Sequence, residues 1–437
     1  TSAGKTDFWD RVTELYGASL AVDEGLAGDD MPGPANPPQP MHFDPDTDWF
    51  TGEGIPITPT DDLGNTNHYP MMRVEARDAT GTLRGFTDIV LPVSDEMDCR
   101  MCHASGAGLD ARPAGGWVQA PDLERDYRLN ILRLHDEGQA ANPAYAAALA
   151  TLGLNPAGLE ATVTVDQRSI LCASCHGSNA LPGTGLAGIA SLTQVVHAHH
   201  APVIDPLTGL TLDADLNRAS CYRCHPGSET ACLRGAMGKA VAADGTMAMQ
   251  CQACHGDMST VGDPARAGWF EEPSCQACHT GDALLNNGQI RYDTVFDATG
   301  AERVAVNPLF ATNPDTPAPG LDLYRFSKGH GDLQCSACHG STHAIYPSAH
   351  PNDNVQSIAV QGHEGTIGDC TACHASSPDT VTGGPHGMHP VGQPWIEDHG
   401  DEAEHGQHLA CRACHGTDYR GTELSRTFGP RSLQTDK

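Results

Sequence analysis

FSKGHGDLQCSACHGSTHAIYPSAHPNDNVQSIAVQGHEGTIGDCTACH, residues Phe326 to His374, decides how the chain is read. Two Cys-x-x-Cys-His units sit in it, Cys335/Cys338/His339 and Cys370/Cys373/His374, with His330, His343, His350 and His363 around them. This signature puts two thiols and an imidazole within one turn of chain. It is the attachment pattern of c-type haem, in which the thiols bond the porphyrin edge and the imidazole reaches the iron.

Outward from this stretch the unit recurs. Six more copies are Cys99/Cys102/His103, Cys172/Cys175/His176, Cys221/Cys224/His225, Cys251/Cys254/His255, Cys275/Cys278/His279 and Cys411/Cys414/His415. The eight copies use 16 of the 17 cysteines. Disulfides would not require a histidine after every second cysteine. Zinc ribbons would need cysteine pairs to combine in twos, again without reason for the histidine. The motifs therefore imply eight covalent haems, with His103, His176, His225, His255, His279, His339, His374 and His415 as proximal ligands.

Composition fits a chain that leans on a cofactor for its interior. Aromatic residues make up 5% of the 437 residues, and there are 48 glycines and 31 prolines. Conventional core material is thin, and apolar macrocycles can supply what is missing. The fold expected is a multihaem cytochrome c: mostly irregular coil with short helices wrapped on haems, plus small β-hairpins in haem-free segments. The formal net charge of −30 argues against nucleic acid and anionic membranes as partners and leaves basic redox proteins or cations. The acidic loops are candidates for Ca²⁺, although no EF-hand spacing is present. No run reaches 18 apolar residues, so no transmembrane segment is expected. The opening TSAGKTDFW reads as a mature N-terminus left by a removed signal peptide.

Five segments follow from the motif positions. Residues 1–54 form an N-terminal arm and linker, with an amphipathic helix over 7–20 and a proline-rich run from Pro32 to Pro40. Residues 55–95 form a small β-containing, haem-free segment. Within it Met71 to Arg77 and Leu83 to Leu91 flank the turn Asp78-Ala79-Thr80-Gly81. Residues 96–282 hold motifs 1 to 5, with helices from Leu123, capped by Asp122, and over Ile189 to His200. The tight spacing of motifs 3, 4 and 5 makes them expected neighbours. Residues 283–326 form a second hairpin, turning at Ala298-Thr299-Gly300, and a proline-rich insert. Residues 327–437 hold motifs 6 to 8 and the C-terminal tail.

The sixth position on each iron decides between electron transfer and chemistry. The chain has 23 histidines, and 15 remain after the eight proximal ones, enough to close every iron. The pool of distal candidates is His135, His197, His200, His330, His343, His350, His363, His386, His389 and His399. A histidine near a motif need not serve that motif, since a neighbouring haem is an equal destination. Cys232, in CHPGSETACLRG, is the odd cysteine, expected to be buried as a thiol.

Phrases such as LYRFSKGHGDLQCSACHGSTHAIYP, NDNVQSIAVQGHEGTIGDCTACH, GGPHGMHPVGQPW and CYRCHPGSETACLRGAMG resemble exported multihaem c-type cytochromes of metal-reducing bacteria, over about residues 55 to 425. The resemblance implies electron transfer by mainly bis-histidine haems toward an extracellular acceptor. It implies an extracellular or cell-surface location, with the periplasm as alternative. Some members polymerise into filaments, which makes a homopolymeric nanowire one form of the expectation. No catalytic residue is assigned. The alternative is an octahaem reductase or oxidase of small nitrogen or sulfur compounds with one open haem; no motif histidine is replaced by lysine, as it is in some nitrite-reducing enzymes of that kind.

Overall fold

The computed structural model describes, with short breaks, residues 40–91, 97–268, 275–278, 294–301 and 328–421, and a few isolated positions elsewhere. The expected 7–20 helix, the Pro32–Pro40 run and most of the 283–326 insert lie outside the described residues. What is described is mixed helix and coil with small two-stranded sheets.

Chain order begins with β1 (His42–Asp44) paired antiparallel to β2 (Trp49–Thr51), then β3 (Met71–Arg77) paired antiparallel to β4 (Leu83–Val90). The β3–β4 connection has a chemical cause. Asp78 Oδ1 accepts from the Thr80 and Thr82 amides at 2.9 and 3.0 Å, and Gly81 takes φ +83°. A side-chain acceptor two residues back closes such turns, and glycine supplies the left-handed position. The same four residues recur at 297–300 and fold alike: Asp297 Oδ1 accepts from Thr299 and Ala301, and Gly300 also has φ +83°.

The helices are α1 (Arg100–His103), α2 (Leu123–Gln139), α3 (Pro143–Thr151), α4 (Leu159–Thr164), α5 (Leu192–His200), α6 (Gln252–His255) and α7 (Met258–Val261). A two-residue β5 (Lys328–Gly329) pairs with β6 (Leu333–Gln334) before α8 (Cys335–His339). Then come α9 (Val355–Gln361), α10 (Gln393–Glu402) and α11 (His408–His415). Only α2 is long. It starts where Asp122 accepts from the Arg125 amide at 2.7 Å, satisfying one orphan amide of the first turn. α5 starts the same way, with Ser191 Oγ accepting from Gln194. α4 is tied to α2 by Asp136, which accepts from the Leu159 and Glu160 amides at 2.8 and 2.9 Å. A Cβ at Gly158 would stand 2.5 Å from Asp136 Oδ2, so the contact requires glycine there.

The apolar core is small: Ala201, Leu212 and Met258 cluster, with Val203 against them. The largest fully buried side chains are mostly polar: Asn130, Asn217, Asn354, Thr162 and Asp205. Hydrogen bonds compensate for their burial. Asn130 accepts from Val118 N at 2.8 Å and donates to His103 O at 3.0 Å. Asn217 donates to Asp205 at 3.1 Å, and Asp205 accepts from Arg223 Nε at 2.9 Å. These polar knots sit on the motifs: His103 closes the first and Arg223 lies inside the third.

Candidate cofactor site: paired imidazoles

Among the described residues, the motifs fold as tight helical turns, and the eighth closes an eight-residue helix. The amide of the motif histidine donates to the carbonyl of the first cysteine at 3.0 Å in motif 1, 2.9 Å in motifs 2, 3 and 4, and 2.8 Å in motif 7. The amide of the second cysteine leans on the same carbonyl. The distance is 3.4 Å for Cys102, 3.3 Å for Cys224 and Cys278, and 3.2 Å for Cys175, Cys254 and Cys373. Residues i, i+3 and i+4 share one face of such a turn, so both thiols and the imidazole converge.

None of the 16 motif cysteines is in a disulfide. Their surroundings are not uniform, although the motif reading gives all of them one role. Cys172 and Cys373 are exposed. Cys99, Cys102, Cys175, Cys221, Cys224, Cys251, Cys254, Cys275, Cys278, Cys335, Cys338, Cys370, Cys411 and Cys414 are half-buried. Motifs 2 and 7 therefore each turn one thiol toward the surface, Cys172 as the first cysteine and Cys373 as the second. Burial pushes the Cys338 thiol up, and the nearby Cys373 adds to the shift.

Six motif imidazoles face a second imidazole. The ring centroids are 6.2 Å apart for His103 and His200, 6.3 Å for His176 and His135, and 6.4 Å for His225 and His197. They are 6.1 Å apart for His255 and His343, and 6.0 Å both for His374 and His330 and for His415 and His389. This spacing exceeds ring contact, yet it hardly varies. An imidazole nitrogen lies about 2 Å from a first-row metal. The ring centre lies roughly 1.2 Å behind it, for five ring bonds of about 1.35 Å. Two imidazoles on opposite sides of one iron therefore have centroids about 6.4 Å apart. The residues present fit a haem iron with two axial histidines.

The tautomers fit as well. Nδ1 of His176 donates to Ala190 O at 2.8 Å, and Nδ1 of His389 to Pro390 O at 2.8 Å. On α5, His197 and His200 donate to the carbonyls four residues back, Thr193 and Val196, each at 2.7 Å. A carbonyl only accepts, so the proton is on Nδ1 and the lone pair on Nε2 is left for coordination. Burial lowers the pKa of seven of the twelve paired rings. It pushes His103 and His255 down to about 4, helped by the neighbouring His200 and His343 respectively. His135, His197, His225, His343 and His389 are also lowered, each mainly by burial.

Sequence proximity does not set the pairs. His343 lies four residues beyond His339 but faces His255, and His330 precedes motif 6 but faces His374 of motif 7. α5 presents His200 to motif 1 and His197 to motif 3. The motifs also touch directly. Asp98 N donates to Cys224 O at 2.9 Å, tying motif 1 to motif 3, and Gln252 Nε2 donates to Ser220 Oγ at 3.0 Å, tying motif 4 to motif 3. The Cys221 and Cys251 thiols hydrogen-bond; the contact raises Cys221 and lowers Cys251 to about 7. Cys275 of motif 5 reaches Cys335 of motif 6, and Ile367 N donates to Cys338 O at 2.9 Å, tying motif 7 to motif 6.

The remaining candidates are placed differently. His350 caps a short turn, its Nδ1 accepting from Asn352 N at 3.3 Å, and lies edge-on to Tyr69 at 4.7 Å. That bond puts the proton on Nε2, the opposite tautomer from the paired rings. His363 donates from Nδ1 to Glu364 O at 2.7 Å, with Nε2 buried 3.7 Å from the Asp369 carboxylate. Exposed His399 has Nδ1 3.0 Å from the carbonyls of Trp395 and Ile396. His279 and His386 lie outside the described residues, and His339 ends α8. Cys232 is exposed, which corrects the expectation of burial: the buried side chain here is that of Arg234, two residues on. Sequence reading missed Trp395, whose ring stacks on His389 at 4.0 Å and 9°. It also missed Arg234; a lone arginine far from any motif carries no pattern.

Among the described residues no three His, Cys, Asp or Glu side chains converge as a bare metal site. A bis-histidine haem needs only two, since the porphyrin supplies the other four nitrogens. Among the described residues no helix is long and apolar enough to cross a membrane. The chain matches no family model, no curated protein and no solved structure in the comparisons made. The likeness to multihaem cytochromes therefore rests on the motifs and the quoted phrases.

Proposed function

We propose that the protein is an electron-transfer protein carrying eight covalently attached c-type haems, most of them with two axial histidines. The observation that carries this reading is the constant 6.0–6.4 Å spacing of six imidazole pairs, each with one member in a Cys-x-x-Cys-His motif. When bound, such a group supplies one-electron transfer at its iron. The cysteines of each motif fix the macrocycle edge. The motif histidine would hold the iron, together with His200, His135, His197, His343, His330 and His389 in motifs 1, 2, 3, 4, 7 and 8. Carbonyls on Nδ1 hold four of the paired rings in the coordinating tautomer. Haems held in this way at these six motifs would leave substrate no place to bind at their irons. The alternative, an octahaem reductase or oxidase, would need its one open haem at motif 5 or 6.

The reading puts the protein outside the cytoplasm, where thioether attachment takes place, with redox proteins or an extracellular acceptor as partner. Assembly of the chain into a filament is the further form that the resemblance suggests. The mass of the denatured chain tests the core of the reading. It is expected to exceed the 46.0 kDa polypeptide by eight haems. A mass equal to the polypeptide alone would overturn it.

A further inference from the structure

One buried cluster belongs to none of the imidazole pairs. The Arg234 guanidinium donates from Nε and Nη2 to the two oxygens of Asp353 at 2.6 and 2.8 Å, and the two side chains are 5% and 4% exposed. Ser348 Oγ donates to the same carboxylate at 2.6 Å. The Tyr69 ring lies under the guanidinium, 3.8 Å from its carbon, and Asn352 Nδ2 donates to Tyr69 O at 2.8 Å. Three segments remote in sequence are thus knotted at one point. A buried ion pair gains little net stability over apolar packing of the same volume, because desolvation offsets the attraction. A planar fork on a carboxylate does impose orientation.

That orientation is passed to a neighbour. The amides of Arg234 and Gly235 both donate to His343 O, at 2.9 and 2.8 Å. Ala236 N donates to Ile345 O and Ala349 N to Arg234 O, each at 2.8 Å. Residues 234–236 are strapped along 343–349 so closely that a Cβ on Gly235 would stand 2.3 Å from Ile345 N. His343 itself lies in a three-residue turn, Thr342–Ala344, with no side-chain cap. So short a turn does not fix a ring by itself. Its imidazole faces His255 across 6.1 Å.

We propose that Arg234, forked onto Asp353 over Tyr69, is a positioning residue that holds His343 in the sixth coordination position of the haem on motif 4. The proposal rests on the haem reading above and adds a residue that touches neither cofactor nor thiol. Two variants disturb the clamp by different physics: Arg234→Met removes the fork, and Gly235→Ala pushes the strap off Ile345.

The test uses haem-loaded full-length protein, with the covalent haem count, the spin state by optical and EPR spectra, and added imidazole as probe. Both variants are expected to keep eight haems while one of the eight changes from low to high spin. Free imidazole is expected to restore the low-spin signal by taking the place of His343. Arg234→Lys, which keeps the charge but not the fork, is expected to show a smaller high-spin fraction than Arg234→Met. His350→Ala, beside the cluster, is expected to lower stability without changing spin state. If Gly235→Ala carries eight haems with an unchanged low-spin spectrum, the clamp is structural only and the proposal fails; this holds even if Arg234→Met does not fold. Wild-type protein without haem would instead overturn the underlying reading.

Discussion

The imidazoles that set the chemistry were countable in the sequence, but their pairing was not. Fifteen histidines lie outside the motifs, and nothing in the spacing of His343 sends it to His255 rather than to His339 four residues away. Tautomer is equally silent in sequence: His350 and His363 look alike there, yet one accepts at Nδ1 and the other donates. Two predictions belong at this scale. His200→Ala should turn one centre of the eight high-spin, because His200 faces His103. His199→Ala, at an exposed neighbouring position, should not. A high-spin signal in both variants, or in neither, would contradict the pairing.

The second concerns pH. Burial pushes His103 and His255 down to about 4 in the folded polypeptide, against about 6.5 when unfolded. Between these values the unfolded chain binds more protons, so stability is full above pH 6.5 and falls as pH drops toward 4. Iron on the same nitrogens acts in the same direction. The urea midpoint at pH 5 should lie below that at pH 7.5, by up to about 2 kcal/mol for each of these imidazoles. A midpoint that rises on acidification would contradict the burial argument.

Among the elements, those with local chemical causes were legible. Asp122 starts α2 where a capping residue precedes periodic apolar positions, and α5 lies within the expected Ile189 to His200 span, starting at Leu192 after a Ser191 cap that the reading did not single out. The β3–β4 hairpin closes at Asp78-Ala79-Thr80-Gly81, and the same four residues give the same turn at 297–300. What was not legible was the packing between elements, because it runs through buried Asn, Asp and Arg side chains instead of an apolar stripe. Asn130 and Arg234 each bond segments 12 or more residues away, and a polar residue in a loop gives no periodicity to read. α5 presents imidazoles to two motifs, one turn apart, so its start matters twice. Ser191→Ala should cost about 1 kcal/mol in urea unfolding by loss of the cap. No change in the midpoint would mean that the Ser191–Gln194 bond contributes nothing.

At the scale of the molecule, the motif order along the chain is not the order of contact. The spacing suggested motifs 3, 4 and 5 as neighbours. The third and fourth do touch, through Gln252 and Ser220, and the fifth meets the sixth through Cys275 and Cys335, while the first reaches past the second to the third through Asp98 and Cys224. Second imidazoles are borrowed across motifs: from α2 for motif 2, from α5 for motifs 1 and 3, and from residues flanking motif 6 for motifs 4 and 7. Each exchange stitches distant parts of the chain together, which a chain with so small an apolar core needs. The ring planes also differ, from 12° for His389 and His415 to 80° for His135 and His176.

EPR of the fully oxidised, haem-loaded protein tests the central claim most directly. If each of the six imidazole pairs holds a haem iron, as proposed, at most two of the eight irons can be high-spin. The account predicts low-spin ferric signals from at least six. Three or more high-spin irons per chain would contradict it.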